Sequence, residues 1–80
     1  MPKINFLLDD GTEKEYDIIL TFRSDITNKD YVVYTDNQYD QNGKLKIFAG
    51  TYDPDENKYL DAVKTNEEWV EIQKVLDKVL

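Results

Sequence analysis

The sequence predicts an α+β fold: a four-stranded antiparallel meander with one C-terminal helix packed on one face. Three observations carry that expectation. Apolar and polar residues alternate over much of the first fifty positions, which is the period of a half-buried strand. Turn signals separate the alternating runs by short loops, and short loops join antiparallel neighbours. Near residue 65 the apolar period changes from two to that of a helix.

The first strand is expected over 3–9, where Ile4, Phe6 and Leu8 face one way and Asn5, Leu7 and Asp9 the other. Asp10-Gly11 then supplies the positive-φ residue of a tight turn. The second strand, 14–23, puts Tyr16, Ile18, Leu20 and Phe22 on one face and Ile19 among the polar residues opposite. After a polar stretch from Ser24, the aromatic and β-branched run from Tyr31 predicts a third strand over 31–36. Asn42-Gly43 marks a turn into a fourth strand over 44–52, with Gly50 as a bulge or a close backbone approach. Asp53 to Asn57 is a loop, because Pro54 cannot donate to a ladder. Tyr59 to Val63 reads as an extended lead-in to the helix. That helix, 66–79, aligns Trp69, Ile72, Val75, Leu76, Val79 and Leu80 at helical spacing. Thr65 and Glu68 form a capping box, with Glu68 expected to reach back to the Thr65 amide. Acids lead the helix and Lys74 and Lys78 close it, as the helix dipole favours.

Eighty residues make a single domain, 1–80, with one small core. There is no Cys and no His, so disulfides, thiolate nucleophiles and the usual neutral-pH proton shuttle are excluded. A net charge of −7 repels phosphate backbones and anionic membrane surfaces. The longest apolar runs, Phe6-Leu7-Leu8 and Ile18-Ile19-Leu20, are far shorter than a membrane span. The expectations are a soluble cytoplasmic protein with no nucleic-acid partner, no membrane partner and no cofactor.

Most chemical motifs dissolve on inspection. Asp53-x-Asp55-x-Asn57 begins like a calcium loop, but Lys58 stands where such a loop needs Gly and Lys64 where it needs Glu. Asp36-x-Gln38-x-Asp40 likewise has Gln41 in the glycine position. Ser24 has no His to activate it, and Tyr16, Tyr34 or Lys29 would need strongly shifted pKa values to move protons. Lys44 and Lys46 are a pair and not a basic patch. Trp69 opens the apolar face of the helix, a core position. No catalytic, cofactor-binding or metal site is assigned.

Gly11 to Glu13, Tyr16, Leu20-Thr21-Phe22, Tyr31-Val32-Val33-Tyr34, Tyr52 to Asp55, and Leu60 leading into Glu67-Glu68-Trp69 follow one another in a familiar order. In that order and spacing the chain resembles the bacterial domain of unknown function 1292, the YrzB-like family, from about Gly11 to Leu80. The resemblance implies a small, acidic, soluble protein of low-GC Gram-positive bacteria. It implies no activity, cofactor or catalytic residue. The long acidic runs common in that family are absent here.

Three functions stay open: a non-catalytic protein-interaction module, an acidic inhibitor that mimics nucleic acid to a basic partner, and a small enzyme or ligand-binding domain. The first is preferred. One helix covers one sheet face, yet Leu7, Ile19 and Phe48 place apolar groups on the other. With one side of the third strand they are expected to form a surface for a protein partner or a second copy. The cap is testable independently of function: Thr65→Ala is expected to lower stability by about 1 kcal/mol in chemical denaturation.

Overall fold

The structure, a computed structural model, describes residues 2–56 and 58–79. Its elements are β1 (Lys3–Leu7), β2 (Glu13–Arg23), β3 (Asp30–Thr35), β4 (Phe48–Asp53), β5 (Lys58–Ala62) and α1 (Asn66–Val79). The strands pair antiparallel in chain order, β1-β2-β3-β4-β5. The class is α+β as expected, but the sheet has five strands and not four.

Two local causes account for the difference. Residues 44–47, expected to open the fourth strand, instead fold back on the preceding loop. Gly43, at φ +78°, closes the Asn42-Gly43 turn, and the Asp40 amide donates to the Lys44 carbonyl at 2.8 Å. Leu45 makes an isolated bridge to Tyr39, and the Thr35 hydroxyl donates to the Lys46 carbonyl at 2.7 Å. The ladder therefore begins only at Phe48. Farther on, Asp53 Oδ1 accepts the amides of Asp55 and Glu56, turning the chain so that 58–62 adds to the edge of β4. The expected lead-in is a fifth strand. Asn57 of that loop and Leu80 of the helical stripe lie outside the described residues.

The first strand also stops earlier than expected, at Leu7. The Leu8 amide donates to the Thr12 carbonyl and Gly11 N–H returns to Leu8, so the turn starts at Leu8. Gly11 sits at φ +86°, where a side chain would be strained, and Asp10 Oδ1 holds both the amide and the hydroxyl of Thr12.

In β2, Ile18 pairs with Tyr34, but the next pair is Leu20 with Val33. Ile19 is an extra residue, a β-bulge that reverses the facing of everything after it. Tyr16 and Ile18 thus lie on one side of the sheet and Leu20 and Phe22 on the other. The expected single row of four is split between two layers.

The first layer packs against α1. Tyr31, Val33 and Ala49 meet Ile72 and Leu76, with Ile19, Leu20, Phe22, Ile47, Val63 and Trp69 around them. Polar contacts tie the helix to the β2–β3 turn. Ser24 is 1% exposed. Its hydroxyl donates to Glu71, 2.7 Å from Oε1, and accepts the amides of Ile26 and Thr27. The Tyr31 hydroxyl donates to Glu68 Oε2 at 2.6 Å. The Thr65 hydroxyl accepts the Glu68 amide at 3.3 Å, but Glu68 returns its carboxylate to that hydroxyl and not to the Thr65 amide.

Those donors, Tyr31 first and Thr65 second, hold the Glu68 carboxyl below the usual glutamate range. Because its folded value is depressed, the contribution is full above the ordinary value of 4.5 and is lost as pH falls through the folded value. Glu68→Gln is expected to cost about 1–2 kcal/mol at neutral pH. That gap should shrink steadily below about pH 4.5 in thermal melts followed by circular dichroism. A gap independent of pH would show that the carboxylate charge contributes nothing.

Candidate functional site

The second layer lies on the face away from the helix. Ile4 and Phe6 from β1, Tyr16 and Ile18 from β2, Val32 and Tyr34 from β3, Phe48 from β4 and Tyr59 from β5 all occupy it. The rings form one cluster. Phe6 meets Tyr16, Tyr34 and Tyr59 with centroids 5.2, 5.2 and 4.8 Å apart, and Phe48 stacks on Tyr34 at 5.7 Å. The contact between Phe6 and Tyr59 joins the two outer strands. In a flat sheet four strand spacings would separate those strands by about 19 Å. The sheet therefore curls into a half-barrel around its own aromatic residues.

Gly50 makes the curl possible at the β4–β5 side. It is buried, and a Cβ there would collide with the Tyr59 ring and lie 2.7 Å from the Asp61 carbonyl oxygen. The ring of Tyr59 lies across the glycine and reaches Tyr34, whose hydroxyl donates to that of Tyr59 at 3.5 Å. Burial pushes the Tyr34 phenol above its ordinary range, with the Tyr59 hydrogen bond second, so it stays protonated.

Where the curl leaves the outer strands apart, a groove of about 500 Å³ opens. Ile4, Ile18, Val32 and the rings of Tyr52 and Tyr59 are among its lining residues, and Thr21 contributes a hydroxyl. Its charged lining residues are Lys3 on β1 and Lys58 on β5. Lys3 is held by Glu15 at 2.8 Å and approaches Asp17 at 3.8 Å; the Glu15 contact raises its pKa. The groove thus offers apolar area, the hydroxyls of Thr21, Tyr52 and Tyr59, and Lys58, whereas the Lys3 ammonium is held by Glu15 and Asp17 on the opposite face of the strand. It suits binding an apolar body with an anionic group.

The three residues expected to share a surface do not form one patch. Leu7 ends β1 and is 75% exposed. Ile19, the bulge residue, packs on the helix-side core and also edges the groove. Phe48 belongs to the aromatic cluster. Of the residues that define the groove, Val32 lies on the third strand, one side of which the sequence offers for the surface, whereas the sequence does not single out Ile18, Tyr52 or Tyr59 as site residues. The available signals were the run Ile18-Ile19-Leu20, which fits either phase of a strand, and Gly50, flagged as a close approach.

Other candidates have structural duties. Asp36 accepts the Gln38 amide and pairs with Lys14, and Asp40 accepts the amides of Asn42 and Lys44. Backbone amides, those of Gln38 and Lys44 first, hold both carboxyls below their ordinary range. Among the described residues no group of three or more carboxylates is placed to hold a metal ion. Nor is any helix among them long and apolar enough to cross a membrane.

A five-stranded half-barrel with one capped helix and an apolar groove defines a small α+β domain class. Residues 9–80 match the family described as "Protein of unknown function (DUF1292)", and the chain belongs to it. It is 33% identical over 81 residues to a UPF0473 protein of Bacillus pumilus, covering 98% of this chain and 85% of that relative. A UPF0473 protein of Leuconostoc mesenteroides is 30% identical over 83 residues, with 98% and 84% covered. The UPF0473 protein YrzB of Bacillus subtilis is 29% identical over 80 residues, with 96% and 86% covered. No solved structure matches the chain.

The aromatic layer depends on the empty space above Gly50. Gly50→Ala is expected to cost about 2–3 kcal/mol, because the added methyl meets both a ring and a backbone oxygen. Tyr59→Phe in the same chain should not restore stability, since the ring remains. An alanine variant melting within about 1 °C of the wild type would show that Tyr59 does not lie across the strand.

Proposed function

We propose that this protein is a non-catalytic protein-interaction module that takes an extended segment of a partner against the face opposite the helix. The observation that supports this most directly is the position of the groove. It opens between β1 and β5, the two strands with a free edge. A partner strand laid along such an edge gains main-chain hydrogen bonds, and its alternate side chains enter the groove. Lys58, among the groove's lining residues, favours a segment carrying an acidic side chain.

The nucleic-acid-mimic reading has less support. Such a mimic needs carboxylates free to meet a basic partner. Here Asp10, Asp40 and Asp53 accept amides of their own turns, Asp30 pairs with Arg23, and Asp36 does both. An acyl-transfer reading has Ser24 as its natural nucleophile, but that hydroxyl is buried and committed to Glu71 and two amides.

Thr21 lines the groove from an exposed position outside both packed layers. Thr21→Arg should therefore fill the groove with little effect on the melting temperature. Affinity capture from the native bacterium followed by mass spectrometry tests the reading. A partner held by the wild type should be lost by about tenfold with Thr21→Arg and weakened with Lys58→Glu. Equal capture by all three proteins, or no specific capture by the wild type, would overturn the groove as a partner site.

A further inference from the structure

The outer face of α1 is an unpartnered stripe on the side of the sheet away from the groove. Its members are Glu67, Val70, Glu71, Lys74, Val75 and Lys78, which with Ile26 of the β2–β3 turn line a shallow depression of about 300 Å³. Val70 is 55% exposed and Ile26 is 81% exposed. Ile26 is not on a loose loop, because Ser24 accepts its amide and is itself anchored to Glu71 on the helix. Two exposed aliphatic groups are thus presented in fixed positions beside four charges. Among the described residues, no ion pair within the chain uses those four charges.

The order of the stripe is self-complementary. Laid antiparallel on a second copy about a two-fold axis between Ile72 and Gln73, Glu67 meets Lys78 and Glu71 meets Lys74, while Val70 and Val75, five residues apart and so about 140° apart around the helix, flank opposite sides of that seam. Each acid of the seam falls opposite a base. This is the symmetry an isologous interface requires, with the same patch on both partners. The acids-first, bases-last order that suits the helix dipole becomes, in an antiparallel pair, an inter-subunit charge code.

We infer that α1 is a homodimer interface, with a second copy of this chain docked antiparallel through Glu67 and Glu71 and their counterparts Lys78 and Lys74, flanked by Val70 and Val75. The stripe spans eleven residue steps, about 16 Å of helix. It buries less than the ~800 Å² per partner of a standard stable interface, so the dimer is weak and depends on concentration. The net charge of −7 opposes association at long range, and the local pairing gives it specificity.

Sedimentation velocity from about 5 to 500 µM, with the full chain, should show a monomer–dimer equilibrium whose dissociation constant lies in the micromolar range or above. Glu67→Lys sets like charges opposite each other and should weaken association by about tenfold. The sign is diagnostic, because this change makes the chain less acidic, and relief of general repulsion would strengthen association instead. Lys78→Glu should weaken it similarly. The double variant Glu67→Lys/Lys78→Glu keeps the net charge and should recover association to within about threefold of the wild type. Lys78→Glu lies in the exposed last turn and carries the test alone should Glu67→Lys unfold. A wild type that stays monomeric at 500 µM overturns the inference. So does a dimer indifferent to the single changes, or one that the double variant does not restore.

Discussion

Ile19 has no partner across the β2–β3 ladder, and both apolar layers of the molecule exist because of it. Without the extra residue, Tyr16, Ile18, Leu20 and Phe22 would share one face. The helix would meet four large side chains, and the other face would keep too few to fill a curl. The bulge sends Leu20 and Phe22 to the helix and Tyr16 and Ile18 to the aromatic cluster. A bulge also bends its strand and increases the local twist, which is the deformation a half-barrel needs. One inserted position therefore decides the layer assignment and the curvature together.

The curl answers a problem of coverage. A single short helix shields one face of a small sheet, and Val32 and Tyr34 on the other face would stand in water. They are buried instead, at 2% and 7% exposure, because residues from both outer strands close over them. Closure stops short of a barrel, and the unclosed part is the groove. The apolar character that suits the groove to a ligand or partner segment is thus continuous with the packing that stabilises the fold. Substitutions at Phe48 or Tyr34 would disturb both, whereas Thr21 lines the groove from an exposed position.

The acidic composition has a similar double use. Asp10, Asp40 and Asp53 do not simply solvate the surface. Each supplies the carboxylate oxygen that a turn's amides require. Glu68 and Glu71 take the hydroxyls of Tyr31 and Ser24, the polar joints between helix and sheet. Glu67, among the described residues, pairs with no cation of its own chain.

What the sequence by itself determined was local. Helix 66–79 was legible because its cap, its apolar period and its charge order lie within a few residues of one another. The Asp10-Gly11 and Asn42-Gly43 turns were legible because positive φ is a demand of single residues. The fifth strand was hidden because Lys58–Ala62 is short and becomes a strand only by pairing with β4. The bulge was hidden because Ile18-Ile19-Leu20 satisfies either facing, and the choice is made by which side chains Val33 and Tyr34 meet. The structural role of Ser24 was hidden because its partner, Glu71, is 47 positions away. The groove was decided last, by two edge strands meeting through Phe6 and Tyr59. Only the tertiary structure could settle it, because strand alternation specifies two faces but not how far a sheet will curl to bury one of them.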